Sequence, residues 1–398
     1  MRVAHIITRM IIGGAQENTL LNCLDLIEDF GDEVMLITGP ALGPEGDLLE
    51  RGGFLSDRQH LRGRAGELQI RLLPTLRRNI NPYFDSLAAA AIRRTLQQFA
   101  PDVVHTHSAK AGLLGRRAAW SLNVPAVVHT VHGAPFHEFQ PKWAREFFRR
   151  CERYAARRCH HLISVADAMT DLMVQAGVAP REKFTTIYSG MDVDPFVHAD
   201  DHRDRVRQRY GIAADKVVIG KIARLFHLKG HDDLITAAAE VIANCPNVVF
   251  LLVGDGILRE SLTERIESLG LRQHFVFTGL VSPGDVPSLI GAMDVLVHTS
   301  LREGLARALP QALIAGKPAV SYDVDGAREV VISGQTGYLI PPRDTGRLAD
   351  CLQKLVQNPA QRRQMGRAGQ LRFTDQFRHQ TMTRQIRELY ERLLQKPH

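Results

Sequence analysis

Residues 293–320, MDVLVHTSLREGLARALPQALIAGKPAV, limit what this chain can fold into more than any other stretch. The apolar opening, residues 293–298, has the length and continuity of a strand buried on both faces of a parallel sheet. A polar turn of residues 299–304 follows. Helical Ala/Leu spacing then runs to Ala315, with Gly316 and Pro318 as stop signals. Pro310 is tolerated only close to a helix start, where the first four N–H groups have no partner within the helix. This predicts a helix that begins at Ala306 or Arg307. Its free donors and positive end would make an anion site at the strand's carboxyl edge. Glu303 stands at that mouth, and Gln311 lies about two turns further on. The carboxylate can accept hydroxyl protons from a polyhydroxy ligand, or be the exposed acid of an ordinary βαβ unit.

The segment Glu303-Gly304-Leu305-Ala306, with its return through Gly316-Lys317-Pro318, resembles the donor-site signature of the family 4 retaining glycosyltransferases. That resemblance covers nearly the whole chain and implies the GT-B fold: two Rossmann-like α/β domains, each a doubly wound parallel sheet, facing a cleft. It implies transfer of a sugar from a nucleoside-diphosphate donor, UDP for choice, to an acceptor hydroxyl. The family pattern has a Glu at each end of a nine-residue span. Here the second position is Gln311, so a grip on the ribose hydroxyls made by two acceptor oxygens becomes one acceptor and one donor.

At 398 residues the chain exceeds the size at which one core keeps growing, so two domains are expected. The division read is residues 1–190 on the acceptor side, 191–372 as the donor domain, and 373–398 as a helix packing back on the first. Residues 189–196 form the linker. No run of about 18 apolar residues is present, which argues against a membrane span. MRVAHIIT runs straight into a strand without the features of a signal peptide. The five cysteines are scattered and unpaired by spacing, as in reduced, cytoplasmic proteins. The net charge is +7, yet residues 1–195 hold 23 basic against 21 acidic side chains. Residues 359–398 hold 9 against 3, a basic tail that is either a solvated helix face or a complement to an acidic surface. No nucleic-acid partner is read.

In the first half, apolar runs at residues 3–8, 34–38, 72–74, 103–107, 126–132, 162–165 and 184–188 alternate with helical spacing, which predicts a parallel sheet. Residues 39–66 are Gly-rich and charged, with a short helix at residues 47–50. Gly13 and Gly14 open a helix through residue 28 and let backbone approach a ligand. They lack the dinucleotide spacing GxGxxG, which disfavours a redox enzyme. His132 ends a buried strand ahead of Gly133, where open α/β sheets place ligands. A hydrogen-bonded structural role is the alternative, and the resemblance implies a place beside the donor sugar. For that place His105, His107 and His129 are weaker candidates than His132; His107 and Lys110, on a neighbouring strand end, are read as acceptor-side residues. Despite 17 histidines no metal-ligand spacing appears. Residues 142–161 carry seven Lys or Arg, with Trp143, Phe147, Phe148 and Tyr154 between them. This basic amphipathic helix suits anionic lipid or a lipid-linked acceptor at a membrane face. The preferred reading is that its aromatics are core and its arginines solvated.

In the second half, Arg224 ends a strand at residues 217–224, and Lys229 follows within five residues. A planar fork and a point charge on one loop suit a diphosphate. No Asp-x-Asp pair is read as metal-bridging, so Arg224 and Lys229 would neutralise the leaving diphosphate without a metal. The resemblance further implies that Gly254, Asp255 and Leu280 enclose the base, that Gly304, Leu305, Ala306 and Gln311 hold the donor, and that residues 322–329 close the sugar pocket. It assigns catalysis to Glu303, His132, Arg224 and Lys229. Front-face attack assisted by the leaving phosphate is the mechanism read, since no second carboxylate nucleophile stands out. A sugar-nucleotide epimerase of the same shape and a non-catalytic sugar-nucleotide-binding module are the alternatives.

Overall fold

A computed structural model describes residues 1–42, 46–51, 67–138 and 140–395. Residues 43–45 and 52–66 of the Gly-rich segment lie outside the described residues, while its short helix is found at Leu48–Arg51. The chain divides into two units, Met1–Met191 with Phe377–His398, and Asp192–Gln376. Each is built on a parallel sheet, because the apolar runs are buried on both faces and are joined by helical crossovers.

The first unit has seven strands: β1 (Arg2–Arg9), β2 (Glu33–Gly39), β3 (Gln69–Leu72), β4 (Val103–His107), β5 (Ala126–Val131), β6 (His161–Ser164) and β7 (Phe184–Thr186). Their order is β3-β2-β1-β4-β5-β6-β7, so the direction of winding reverses at β1. That switch point is where an open sheet leaves a crevice at its carboxyl edge. The core holds Val3, Ile7, Val34, Leu36, Val103, Ala126 and Val128, covered by the helix Gly14–Glu28 and by the C-terminal helix His379–Leu394. The C-terminal helix is pinned by polar contacts rather than apolar ones alone. His379 Nδ1 meets Asp25 at 2.8 Å, Asn22 donates to Thr383 Oγ1 at 3.0 Å, and Arg387 Nε donates to Asp32 at 2.9 Å.

The second unit has six strands: β8 (Val217–Ile222), β9 (Val248–Val253), β10 (Phe275–Gly279), β11 (Val295–His298), β12 (Ala319–Tyr322) and β13 (Gly337–Ile340). Their order, β10-β9-β8-β11-β12-β13, reverses at β8. Phe250, Leu252, Val295, Val297 and Val320 pack against the helices His231–Asn244 and Thr345–Gln357.

Two expectations are corrected. The basic helix spans Lys142–Ala156 and stops short of residue 161. Beyond it His160 is drawn to β5: its N–H donates to the Val127 carbonyl, and its Nδ1 accepts from the Val127 N–H at 2.8 Å. Nor are the aromatics of this helix core. Trp143 is 76% exposed, Phe147 48% and Tyr154 41%, and the face turned inward is Glu152, Ala155 and Ala156. Glu152 is held there by the buried Arg116 at 2.9 Å.

Tyr390 is wholly buried and bonds His105 Nδ1 through its hydroxyl. Tyr390→Phe leaves that nitrogen unpaired, so urea unfolding should show a loss of about 1–3 kcal/mol.

Candidate active site

Three loops at the carboxyl edge of the second sheet converge. After β8 the chain runs through Arg224 to Gly230, which opens the next helix with φ 63°. A Cβ on Gly230 would lie 2.0 Å from the Thr299 carbonyl oxygen, so this close approach requires glycine. The Thr299 hydroxyl donates to the Gly230 carbonyl at 2.6 Å, and the Leu301 N–H to the Leu228 carbonyl at 2.8 Å. Those bonds lay the loop after β11 against the loop after β8 and bring Glu303 onto Lys229 as an ion pair. From the third side Asp325, after β12 and itself at φ 47°, accepts the Glu303 N–H at 2.6 Å. The Gly326 N–H donates to the Gly304 carbonyl at 3.0 Å.

Beneath the pair lies Lys221, buried within β8. Its ammonium donates to the Lys229 carbonyl at 2.8 Å and to Thr299 Oγ1 at 2.5 Å. Burial, reinforced by the Lys229 charge, brings its pKa down to about 7. His298, the last residue of β11, puts Nε2 at 3.9 Å from the Glu303 carboxylate. Burial depresses its pKa to about 3, so it is neutral. His231 is depressed to about 3 for the same reason and donates from Nε2 to the Arg224 carbonyl at 3.0 Å. Burial alone would raise the Glu303 pKa. The Lys229 ammonium and the groups around it outweigh that and hold the carboxylate below its usual range, hence ionised. At the other end of the loop Arg224 is exposed, its guanidinium 4.9 Å from the Phe226 ring centre, and it meets no carboxylate among the described residues. A buried-side acid fixed by one cation, with a second cation open on the same loop, can hold a hydroxyl-rich group and its phosphate together.

The remaining residues expected at the donor fall into two groups. Gly254, at φ 132°, would drive a Cβ to 2.3 Å from the Ala223 carbonyl oxygen and bridges Gly279. Asp255 accepts the Leu225 N–H on its carbonyl at 2.9 Å, and Leu280 is 81% exposed beside Gly279. This turn therefore adjoins the Arg224 loop. The second group calls for a correction. The helix spans Ala308–Ile314, so Leu305 and Ala306 lie in the turn before it. Its seven residues make a weaker dipole than a full helix. Pro310 is the third helical residue, where no N–H is missed, and the Gln311 side chain makes no hydrogen bond among the described residues. Asp323 and Asp325, spaced as Asp-x-Asp, are engaged with Arg328 and with the Glu303 amide.

In the first unit, parallel register sets His5 beside His105, and the two-residue period puts His107 on the same face. His5 Nδ1 meets His107 Nε2 at 3.0 Å, and His107 Nδ1 meets His132 Nε2 at 3.1 Å. His107 thus does not line an acceptor surface: it is 1% exposed, the middle link of an imidazole chain ending at the half-buried His132. The three rings His5, His105 and His107 bring nitrogens within 4.8 Å of one another, a grouping that could hold a metal ion. His105 is bonded to Tyr390 and to Thr130 at 2.7 Å, so its nitrogens are already committed. Lys110 lines a cavity, but its ammonium pairs with Asp85 at 2.5 Å. Gly14 begins the first helix, and Gly13 is extended at φ 176°, which any residue can adopt.

Family comparison matches both halves. The model for glycosyl transferases group 1 covers residues 202–372, and that for glycosyltransferase family 4 covers residues 12–195. The chain is a family 4 glycosyltransferase. It is 27% identical over 359 residues to the Escherichia coli UDP-Gal:alpha-D-GlcNAc-diphosphoundecaprenol alpha-1,3-galactosyltransferase, spanning 89% of this chain and 88% of that protein. A Streptomyces fradiae 2-deoxystreptamine N-acetyl-D-glucosaminyltransferase is 31% identical across 66% of this chain and 63% of its own length. In fold the enzyme resembles Anabaena HepE in complex with UDP, with TM-score 0.81 and 24% identity, covering 98% of this chain and 100% of that one.

Sequence reasoning passed over Lys221, Thr299 and His298. A lysine inside the apolar run VVIGKI was the available signal, since a strand buried on both faces does not place a cation there without a use. With its folded pKa near 7 and its unfolded value near 10.5, Lys221 binds more protons in the unfolded chain between those limits. Its contribution therefore makes stability rise with pH from about 7 to 10.5, by at most about 1.4 kcal/mol per pH unit. Lys221→Met should flatten that slope in urea titrations across the same window.

Proposed function

We propose that this glycosyltransferase moves a sugar from a UDP-sugar to a hydroxyl of a lipid-linked saccharide, with retention of configuration and without a metal. The observation that carries the reading is the contact of Lys229 with Glu303, on loops that also bear Arg224. Arg224 and Lys229 take up the diphosphate's growing charge as the glycosidic bond breaks. Glu303, ionised and anchored through its own amide by Asp325, accepts hydrogen bonds from the sugar hydroxyls. His132, at the end of its imidazole chain, positions the reacting sugar. The acceptor hydroxyl then attacks from the face the phosphate leaves, and a phosphate oxygen takes its proton, which yields retention.

UDP and a lipid-diphosphate acceptor are the chemistry in the printed name of the Escherichia coli relative. The exposed Trp143, Phe147 and Tyr154 among the arginines of the helix Lys142–Ala156 support peripheral contact with the inner membrane face, in surface polysaccharide or lipid-linked glycan assembly. Among the described residues no helix is long and apolar enough to cross a membrane.

The test is a panel of UDP-, GDP- and ADP-sugars with a lipid-diphosphate acceptor, the product's anomeric configuration being read by NMR. Retention is expected, unaltered by EDTA, and inversion would overturn the mechanism. Donor turnover without acceptor would point to an epimerase, and donor binding without any turnover to a non-catalytic module.

Glu303→Gln and Lys229→Ala should each lower kcat by about 100-fold or more while leaving the acceptor KM nearly unchanged. Gln311→Glu restores a second acceptor oxygen for the ribose, and donor KM should stay level or fall by up to about tenfold. A severe loss there would remove Gln311 from the ribose contact.

A further inference from the structure

The first unit carries a path of adjoining cavities that donor chemistry leaves unused. The largest, about 400 Å³, is walled by Ile7, Ile80, Leu113, Leu114 and Phe147, with Arg9, Arg78 and Lys110 also lining it. A cavity of about 40 Å³ contains His132 and shares Ser108, Ala109, Pro135 and Glu152 with the first. A third, of about 310 Å³, shares Leu113, Leu114, Phe147 and Cys151 with the first and continues to Arg117, Arg150 and Tyr154. The shared walls make one route, from His132, past aliphatic side chains, to the exposed aromatic face of the helix Lys142–Ala156.

Its chemistry is one-sided. Among the described residues, two acids line the large cavity, and both are neutralised, Asp85 by Lys110 and Glu152 by the buried Arg116. Arg78 and Arg117 meet no carboxylate among the described residues. The walls are therefore apolar, with positive charge at Arg78 and Arg117 that no described carboxylate meets. A free sugar would lose its hydrogen bonds against Leu113, Leu114 and Ile80. A hydrocarbon chain would be sheltered from water by them, and 300–1,000 Å³ is the usual capacity of a small-molecule site, about that of the two larger spaces. The smallest, at about 40 Å³, admits only a hydroxyl-bearing edge of a sugar beside His132.

We propose that this route is a track for an amphiphile, a hydrocarbon chain bearing a phosphate or diphosphate. Its chain lies along Ile80, Leu113, Leu114 and Phe147, and its anionic head is taken by Arg78. Only the further step, that a saccharide on that head reaches His132, rests on the acceptor reading above.

Farnesyl diphosphate is the probe, titrated by calorimetry into the full chain. It should bind at least tenfold more tightly than either inorganic diphosphate or farnesol. The double variant Ile80→Ser/Phe147→Ser, altered only at exposed positions, should bind it at least tenfold more weakly, as should Arg78→Gln, with UDP affinity unchanged in all. Leu114→Gln provides an independent check within the wall. With the Arg224–Lys229 site filled by saturating UDP, equal binding of farnesyl diphosphate by the double variant, or of inorganic diphosphate by the native chain, overturns the track. Undiminished transfer to a lipid-linked acceptor by the double variant also overturns it, while leaving the reaction intact. Tight farnesyl diphosphate binding in a chain that transfers no sugar keeps the track and refutes the acceptor reading.

Discussion

Parallel pairing sends every strand of a sheet toward the same edge, and the chemistry of this chain depends on that constraint. Each strand must be followed by a loop at the carboxyl edge before its helix can return the chain. In the second unit, the loops after β8, β11 and β12 meet there because Thr299 bonds Gly230 and Asp325 bonds Glu303. In the first unit, the same edge gathers His107 and His132, one at the end of β4 and the other just beyond β5. Neither grouping needs a special motif. Both follow from strands wound outward in two directions from a central strand.

Desolvation then sorts the charges. Lys221, His231 and His298 all lie beneath the Lys229–Glu303 pair, and burial strips the histidines of charge and brings the lysine near neutrality. Glu303 keeps its charge because the Lys229 ammonium is its counter-ion and the carboxylate retains some exposure. The result is a carboxylate held in place by a neighbouring cation, with the uncharged His298 imidazole close by. A group in that state can accept hydrogen bonds without taking up a proton near pH 7.

Much of this was legible from residue order. The apolar runs located the strands, the Gly316 and Pro318 stops were read correctly, and Arg224, Lys229 and Glu303 stood out by type and spacing. The misreadings have physical causes. Helical spacing continued past Ala156, but a hydrogen bond to Val127 ended the helix, and such long-range competition leaves no local mark. Amphipathic patterning around Trp143 and Phe147 reports that a helix has two faces; it does not say which face meets the core. His107 looked like a surface ligand because a strand-end histidine is usually at an edge. Its burial depends on His5, 102 positions away.

The order of residues alone determined two parallel α/β units, the loops at their strand ends, and the residue types there able to hold a phosphate and a sugar. These are properties of short segments, since period, propensity and turn chemistry act over a few residues. Tertiary structure alone decided that Lys229 touches Glu303, that three histidines form a chain, and that aliphatic walls near Phe147 adjoin the chamber of His132. Those facts turn on the register between strands and on which side chains lose water together, and both are settled only when distant segments pack.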